Sequence, residues 1–353
     1  MKKALSLLVA LAMVFSLAAC SSDSGGSGST TTPSQSSSST PSSTPESTPS
    51  STPDASGDVG GDFNIGGGSS GGQYYAMSTT FSQFFNDIGG LGAFTAYPTT
   101  GTGQNLAFMA SGEIEFAIIA SCIGVDALNG VNDWEGKQYD GLRAMAFLYP
   151  TYMQFFCATD SGIETFGDLK GHKIAVGAAG GGDQFVMRKL LAGMDLTFDD
   201  ITPEYVGAAD SVEMMRDGHI EVAPGFTNIP FSTMVELTNA DRAYLIPLED
   251  DLIKKLTEGD SAEFFPLTIP AGTYKGQDED IPTVGMGTLF CADASVSEEQ
   301  IYQMTKVIYE NMEDLSSRHA AIAEMAAEQV DQIKGVPLHP GAERYYKEIG
   351  ILK

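Results

Sequence analysis

The stretch IAVGAAGGGDQFVMRKLLAGM, residues 174–194, constrains this chain most, because it reads as a buried strand, a glycine-rich loop and a helix. Residues 63–85 (FNIGGGSSGGQYYAMSTTFSQFF) and 94–112 (FTAYPTTGTGQNLAFMASG) have the same order. Strands that alternate with helices along the chain indicate an α/β fold with mostly parallel sheets. Ligands of such sheets bind outside the carboxyl ends of the strands, where these glycine turns are expected to lie.

Two long apolar runs divide the folded part of the chain. Residues 142–159 (LRAMAFLYPTYMQFFCAT) and 281–293 (IPTVGMGTLFCAD) are long enough to cross from one lobe to another, once in each direction. A body of about 290 residues is also large enough for two lobes with separate cores. We therefore expect lobe I at residues 61–152 and 287–353, and lobe II at residues 153–286, joined by a hinge.

The amino-terminal residues predict where the protein works. Lys2 and Lys3 precede an apolar run that ends in Leu-Ala-Ala-Cys, which indicates a secretory signal peptide at residues 1–20. This ending resembles the lipobox of bacterial lipoproteins, in which Cys20 becomes the lipidated first residue, whereas an ordinary cleaved signal is the alternative. Residues 21–60 are mostly Ser, Thr, Pro and Gly, so we expect a disordered tether. The prediction is a protein anchored by lipid at the outer face of the cytoplasmic membrane.

The charge balance and the cysteines exclude several classes of partner. The chain has 19 Lys and Arg against 46 Asp and Glu, a formal net charge of -27. Nucleic-acid binding derives its affinity from Lys and Arg, so we expect no nucleic-acid partner. We also expect a monomer. Cys122, Cys157 and Cys291 each lie in an apolar setting, which favours buried small side chains, with a Cys157–Cys291 disulfide as the alternative. No CxxC pair or HExxH motif occurs, so we predict no metal and no other cofactor.

The glycine turns suit a small anion better than a nucleotide. A turn of this kind exposes free N–H groups at the positive end of a helix dipole. No Gly-Lys-Ser/Thr follows Gly177, and VGAAGGG does not fit the G-x-G-x-x-G pattern of dinucleotide-binding proteins. The four histidines are scattered and no G-x-S-x-G elbow occurs, so we predict a binding protein rather than an enzyme. Glycine that serves only tight turns is the alternative for any single loop.

Several stretches together resemble the TAXI family, the extracytoplasmic solute-binding subunits of TRAP transporters. They are residues 66–78 (GGGSSGGQYYAMS), 99–118 (TTGTGQNLAFMASGEIEFAI), 268–285 (TIPAGTYKGQDEDIPTVG) and 337–350 (PLHPGAERYYKEIG), and the resemblance runs from about Phe63 to Lys353. It implies a two-lobed fold like that of type II periplasmic binding proteins, which closes on a small solute in the cleft. It also implies a TRAP membrane subunit that performs ion-driven transport, and carboxylate ligands such as glutamate or 2-oxoglutarate.

The turns and the resemblance together predict ligand-binding residues in both lobes. These residues are Ser69, Ser70, Gly71, Tyr74, Thr100, Thr102, Asn105 and Ser121 in lobe I, and Gly180, Gly182, Asp183, Gln184, Thr227 and Asn228 in lobe II. Tyr74 is expected to cover the apolar part of the ligand, with packing into the core as the alternative.

Asp183 stands where the resemblance implies a hydroxyl side chain. If it faces the cleft, it suits an ammonium group or a hydroxyl donor, and if it faces solvent, it only caps a helix. A carboxylate-bearing zwitterion such as an amino acid therefore fits better than a dicarboxylate. Two alternatives to a TRAP-type receptor stay open: a receptor of the same fold that serves another importer or a sensor, and a secreted enzyme built on this scaffold.

Overall fold

The computed structural model describes residues 59–258 and 263–353. The predicted signal peptide, the lipidated Cys20 and the tether up to residue 58 lie outside the described residues. The strands of the described part are β1 (Asp62–Gly66), β2 (Ala93–Tyr97), β3 (Phe116–Ala120), β4 (Leu142–Ala158), β5 (Lys173–Ala175), β6 (Thr202–Glu204), β7 (Val222–Thr227), β8 (Ala243–Ile246), β9 (Phe265–Ile269) and β10 (Ile281–Asp293).

The α-helices of the described part are α1 (Gln73–Ile88), α2 (Thr102–Ser111), α3 (Ser121–Asn129), α4 (Gly182–Gly193), α5 (Ala208–Arg216), α6 (Ser232–Asn239), α7 (Asp250–Thr257), α8 (Glu298–Glu310), α9 (Met312–Arg318) and α10 (Pro340–Glu348). None of the helices in the described ranges has both the length and the apolar character that a bilayer crossing needs.

The strands form one mixed sheet with the order β2-β1-β3-β10-β4-β7-β5-β6, to which β8 adds beside β4 and β9 beside β10. β1 pairs in parallel with β2 and β3, and β5 pairs in parallel with β6 and β7. We call β1–β3 with α1–α3 the first wing, and β5–β7 with α4–α6 the second wing. The fold is thus α/β with two parallel wings, as the alternation of strands and helices predicts.

The two predicted crossings are β4 and β10, which run antiparallel and join the wings. They pair from Leu142 opposite Asp293 to Tyr152 opposite Gly285. Phe147, Phe156 and other large side chains on both faces of these strands are fully buried. Because strands that are covered on both faces are apolar at almost every position, they are visible in the sequence as uninterrupted runs.

Helix α1 attaches the first wing to this central pair of strands. Met77, Phe81, Phe84 and Phe85 follow helical spacing and are all fully buried. The ring of Phe81 stacks on that of Phe290 in β10, with 4.7 Å between the ring centroids. Each such side chain contributes about 2–3 kcal/mol by leaving water, so this apolar face fixes the position at which α1 begins.

The positions of the cysteines exclude the Cys157–Cys291 disulfide that the sequence left open. Cys122, Cys157 and Cys291 are all free and buried. Cys291 lies opposite Ala144 on β4, whereas Cys157 lies near the far end of the same strand. The distance along an extended strand between these two positions is on the order of 40 Å, so a Cys157–Cys291 disulfide is wrong although the two strands are neighbours.

Lys189 on α4 ties the second wing to the first. Its Nζ lies 2.8 Å from Oδ1 of Asp126 on α3, and it also contacts the carboxylate of Glu263. The side chain of Asp126 is only 3% exposed, and those of Lys189 and Glu263 are 17% exposed. A buried cation that neutralises two carboxylates is costly to remove, because it leaves both negative charges without a partner.

The substitution Lys189→Met should lower the free energy of unfolding by about 3 kcal/mol. The matched control is Lys255→Met, because Lys255 forms an exposed pair with Asp195 at 3.3 Å. An exposed pair of this kind contributes about 0.2–1 kcal/mol, so the control should stay close to the wild type. Urea denaturation of the three proteins tests this, and equal losses in the two variants would contradict it.

Candidate functional site

The glycine-rich turns meet at one cavity between the two wings. Its volume is about 430 Å³, and it lies beyond the carboxyl ends of the parallel strands. Its lining residues are Gly68, Ser69, Gly72, Gln73, Tyr74, Thr100, Gly101, Thr102 and Ala120 from the first wing, Ala178, Gly181, Gly182, Asp183, Val186, Gly207, Ala208, Phe226 and Thr227 from the second wing, and Tyr149, Thr151 and Met286 from β4 and β10.

Five helices begin at this cavity. The N-cap residues of α1 to α5 all line it, and they are Gly72, Gly101, Ala120, Gly181 and Gly207. None of the five forms a hydrogen bond from its side chain to its helix. Since the first N–H groups of an α-helix have no partner within the helix, these uncapped starts direct positive dipole ends toward the cavity, and in α1, α2, α4 and α5 the first helical residues themselves line it.

Two glutamines hold equivalent loops at the starts of α2 and α4. Oε1 of Gln104 accepts a hydrogen bond from the N–H of Thr100 at 2.7 Å, and Oε1 of Gln184 accepts one from the N–H of Gly180 at 2.9 Å. Gly180 and Gln184 therefore bind each other, and neither lines the cavity. The N–H of Gly180 is thus engaged within its own loop, whereas Nε2 of Gln184 is not used by this bond, and contact of these two residues with the ligand stays a prediction.

Asn105 and Ser121 lie behind the cavity wall rather than on it. Asn105 is fully buried, and its Nδ2 donates to the carbonyl oxygens of Gly67 at 2.6 Å and Ile118 at 2.9 Å. Oγ of Ser121 accepts a hydrogen bond from the N–H of Gly287 at 3.0 Å. The prediction that these two side chains line the cleft is wrong, since their hydrogen bonds instead hold the turn after β1 and the start of α3 in place.

The other predicted residues divide into two groups. Those on the cavity wall are Ser69, Tyr74, Thr100, Thr102, Gly182, Asp183 and Thr227, and their contact with a solute stays a prediction. Ser70 is exposed outside the wall, while Gly71 and Asn228 line a separate shallow groove beside His319. In these turns some residues of the loop face the cavity and their neighbours face away from it, which residue type alone does not reveal.

Sequence reasoning missed the start of α5 and the cavity floor. Val206 and Gly207 repeat the Val-Gly pair that precedes α4, so a search for this pair would have found the fifth helix start. Tyr149, Thr151 and Met286 come from the crossing strands. No sequence pattern predicts that these three residues line a cavity, because an apolar run does not indicate which of its faces meets one.

The floor of the cavity is an uncharged group of hydroxyls. Oγ1 of Thr151 lies 2.9 Å from Oγ1 of Thr288, and the hydroxyl of Tyr74 lies 3.4 Å from the same Thr288 atom. Burial raises the pKa of Tyr74 and of Tyr149 well above the usual value of 10.0, so both phenols stay protonated. The floor therefore offers neutral hydrogen-bonding groups and no counter-charge for an anion.

Asp183, the second residue of α4, is the one Asp or Glu among the described residues that line the cavity, and these residues include no Lys, Arg or His. Among the described residues, its carboxylate has neither an ion pair nor a hydrogen-bond partner. Burial raises the pKa of this carboxyl from 3.8 to about 6. Arg188 of the same helix lies elsewhere, paired with Asp133 at 3.4 Å. The sequence left open whether Asp183 faces the cleft or the solvent, and in the structure it lies at the cleft.

The substitution Asp183→Asn should stabilise the ligand-free protein at pH 7, because it removes a charge from a site that disfavours it. The rise in pKa from 3.8 to about 6 corresponds to at most about 3 kcal/mol. The gain should be complete above pH 6, decrease as the wild-type carboxyl takes up its proton, and disappear below pH 3.8. Thermal unfolding at pH 7 and at pH 3.5 tests this.

The matched control for this prediction is Asp251→Asn, which removes an exposed acidic residue from the first turn of α7. The control should show no gain in melting temperature, since its carboxylate is already hydrated. If Asp183→Asn melts at the wild-type temperature at pH 7, the wall does not disfavour charge at this position.

The strand order and the cavity between two wings are those of a two-lobed α/β fold, the fold of the periplasmic binding proteins. The chain belongs to the NMT1-like family, which matches residues 65–350. It is similar to PhnD1 from Prochlorococcus marinus in complex with methylphosphonate, with 9% identity, a TM-score of 0.51 and coverage of 82% of this chain and 99% of that one.

Two further similar structures are sulfonate-binding proteins. One is the alkanesulfonate-binding protein SsuA from Xanthomonas axonopodis pv. citri bound to MOPS, with 14% identity, coverage of 78% of this chain and 84% of that one, and a TM-score of 0.44. The other is the aliphatic sulphonate binding protein SsuA from Escherichia coli, with 13% identity, coverage of 78% and 79%, and a TM-score of 0.44. The more specific resemblance to the TAXI family stays a prediction.

Proposed function

We propose that this protein is an extracytoplasmic solute-binding receptor that captures a small carboxylate-bearing solute in the cleft and presents it to a membrane importer. The observation that carries this proposal is the convergence of five uncapped helix starts, from both wings, on one cavity of about 430 Å³. A cavity of this size lies within the range of small-molecule sites in proteins, about 300–1,000 Å³.

Backbone donors can bind an anion without a basic side chain. A helix N-terminus contributes typically about 0.3–1 kcal/mol to a nearby negative charge, and a hydrogen bond to a charged group contributes about 1.5–3 kcal/mol. These energies increase where water is excluded. Methylphosphonate, which PhnD1 holds in its complex, is likewise a small anion. A carboxylate held by several N–H groups from the two wings is the arrangement that we propose here.

We further propose that the two lobes, residues 61–152 with 287–353 and residues 153–286, close on the solute as rigid units. The boundaries fall where β4 and β10 pair, at Tyr152 opposite Gly285 and Thr151 opposite Met286. A solute that contacts both wings stabilises the closed state in proportion to its preference for that state. The importer would then recognise the closed receptor.

For the importer, we propose a TRAP-type membrane subunit on the basis of the TAXI resemblance, with the receptor held at the membrane by lipid on Cys20. The test is solute uptake by vesicles that contain the membrane proteins that co-purify with the full chain. Uptake driven by an ion gradient without ATP supports this importer. Uptake that requires ATP would instead support the alternative of a receptor for another importer.

The alternative of a secreted enzyme makes a different prediction. A receptor returns its ligand unchanged, whereas an enzyme converts it. Each carboxylate that stabilises the full chain in thermal unfolding should therefore be recovered intact after long incubation with it. Appearance of a product would support the enzyme.

The substitution Gly207→Leu should abolish solute binding. A Cβ at Gly207 would meet no other atom within 4 Å, and the residue lines the cavity, so the larger side chain occupies the space of the solute without disrupting the wall. Gly207→Ala adds only one carbon and should weaken binding much less. Calorimetric titration of the full chain with L-glutamate, L-glutamine and 2-oxoglutarate measures the effect.

The outcomes test the location of the binding site and the chemical class of the ligand independently. If Gly207→Leu binds a probe as tightly as the wild type does, the cavity is not the binding site. If no carboxylate of a wider panel of amino acids, keto acids and dicarboxylates stabilises the wild type, the proposed ligand class is wrong.

A further inference from the structure

The two loops that begin α2 and α4 have the same construction but differ in charge. In each, a glutamine at the third helical position accepts a hydrogen bond from an N–H two residues before the helix. When the two loops are aligned on these glutamines, residues Gly101–Gln104 match Gly181–Gln184. Asp183 then occupies the position of Gly103. The start of α2 is therefore uncharged, whereas the start of α4 presents a carboxylate to the cavity.

The positive charges near Asp183 are already used by other groups. Lys189, on the same helix, is paired with Asp126 and Glu263, and Arg188 is paired with Asp133. The residues that line the cavity include no cation that could pair with Asp183. Burial raises the pKa of this carboxyl to about 6, so at neutral pH the free protein holds an ionised carboxylate without a partner.

A carboxylate and five helix starts make opposite demands on a ligand. The helix starts favour a negative group, whereas Asp183 repels a negative group and favours a hydrogen-bonded cation. A solute with both charges satisfies both demands, since its carboxylate can lie at the uncapped helices and its cationic group beside Asp183. A solute with negative charge alone satisfies only the first.

We propose that the solute is a zwitterion, a small amino acid whose ammonium group is bound by Asp183 while its carboxylate is bound by the helix starts. This inference rests on the proposed function and adds a specificity-determining residue to it. Asp183 then discriminates an amino acid from the 2-oxo acid with the same side chain, which has lost the ammonium group.

The experiment compares matched ligand pairs on the full chain. The probes are L-glutamate with 2-oxoglutarate, L-alanine with pyruvate, and L-leucine with 4-methyl-2-oxopentanoate, after thermal unfolding with a panel of L-amino acids has shown which side chain fits. The wild type should bind the amino acid at least about tenfold more tightly than its 2-oxo acid. Asp183→Asn should lose about 10- to 100-fold in amino-acid affinity and bind the 2-oxo acid more tightly than the wild type does, because the repelling charge is gone.

Each result of this comparison decides between the two proposals. Asp251→Asn, the exposed first-turn control on α7, should retain the wild-type preference. If the wild type prefers 2-oxo acids, or if Asp183→Asn keeps the preference for amino acids, the zwitterion inference is wrong while the receptor function stands. If neither kind of ligand binds, both are wrong.

The pH dependence provides a second readout that does not depend on a substitution. Amino-acid affinity of the wild type should be constant above about pH 6 and fall below it, because only the ionised Asp183 pairs with an ammonium group. Affinity for a 2-oxo acid should instead rise as Asp183 takes up its proton. Tyr74 and Tyr149, which share the cavity, stay neutral over this range. In Asp183→Asn both trends should disappear, and their persistence would assign them to another group.

Discussion

Unpaired N–H groups at the starts of helices are the feature on which the cleft depends. A parallel strand that leads into a helix leaves these groups at the carboxyl edge of the sheet, and here five such starts lie at one cavity. Four of the five N-cap residues are glycines, which have no side chain to cover the donors. The proposed capture of an anion by a chain with a net charge of -27 rests on these groups, because backbone dipoles need no basic residue.

The two wings have the same strand order and the same loop construction, although the sequence contains no evident repeat. In each wing the first strand lies between the second and the third, in the orders β2-β1-β3 and β6-β5-β7. The glutamines Gln104 and Gln184 hold equivalent loops. The difference in charge between the two walls comes from Asp183, which gives the second wing a carboxylate where the first wing has Gly103.

Helix α4 carries one charged residue at the cavity wall, Asp183, and another, Lys189, in a buried ion-pair cluster away from the cavity. Lys189 lies six residues after Asp183, about 9 Å further along the helix axis, and it pairs outside the cavity with Asp126 of the first wing and with Glu263, which precedes β9. This pairing contributes to the position of α4 and engages Lys189 away from the cavity wall. One helix thus carries both a contact between the wings and the carboxylate at the site.

The sequence by itself determined the α/β class, the two crossing strands and the position of the glycine turns, because periodicity and apolar runs are local properties of the chain. It also identified Asp183 as the residue whose direction mattered. Only the tertiary structure decided that Asp183 lies on the cavity wall, that Asn105 lies behind it, and that Cys157 and Cys291 are at opposite ends of a pair of strands. These outcomes depend on contacts between residues that are distant in the chain, and such contacts leave no mark on local residue patterns.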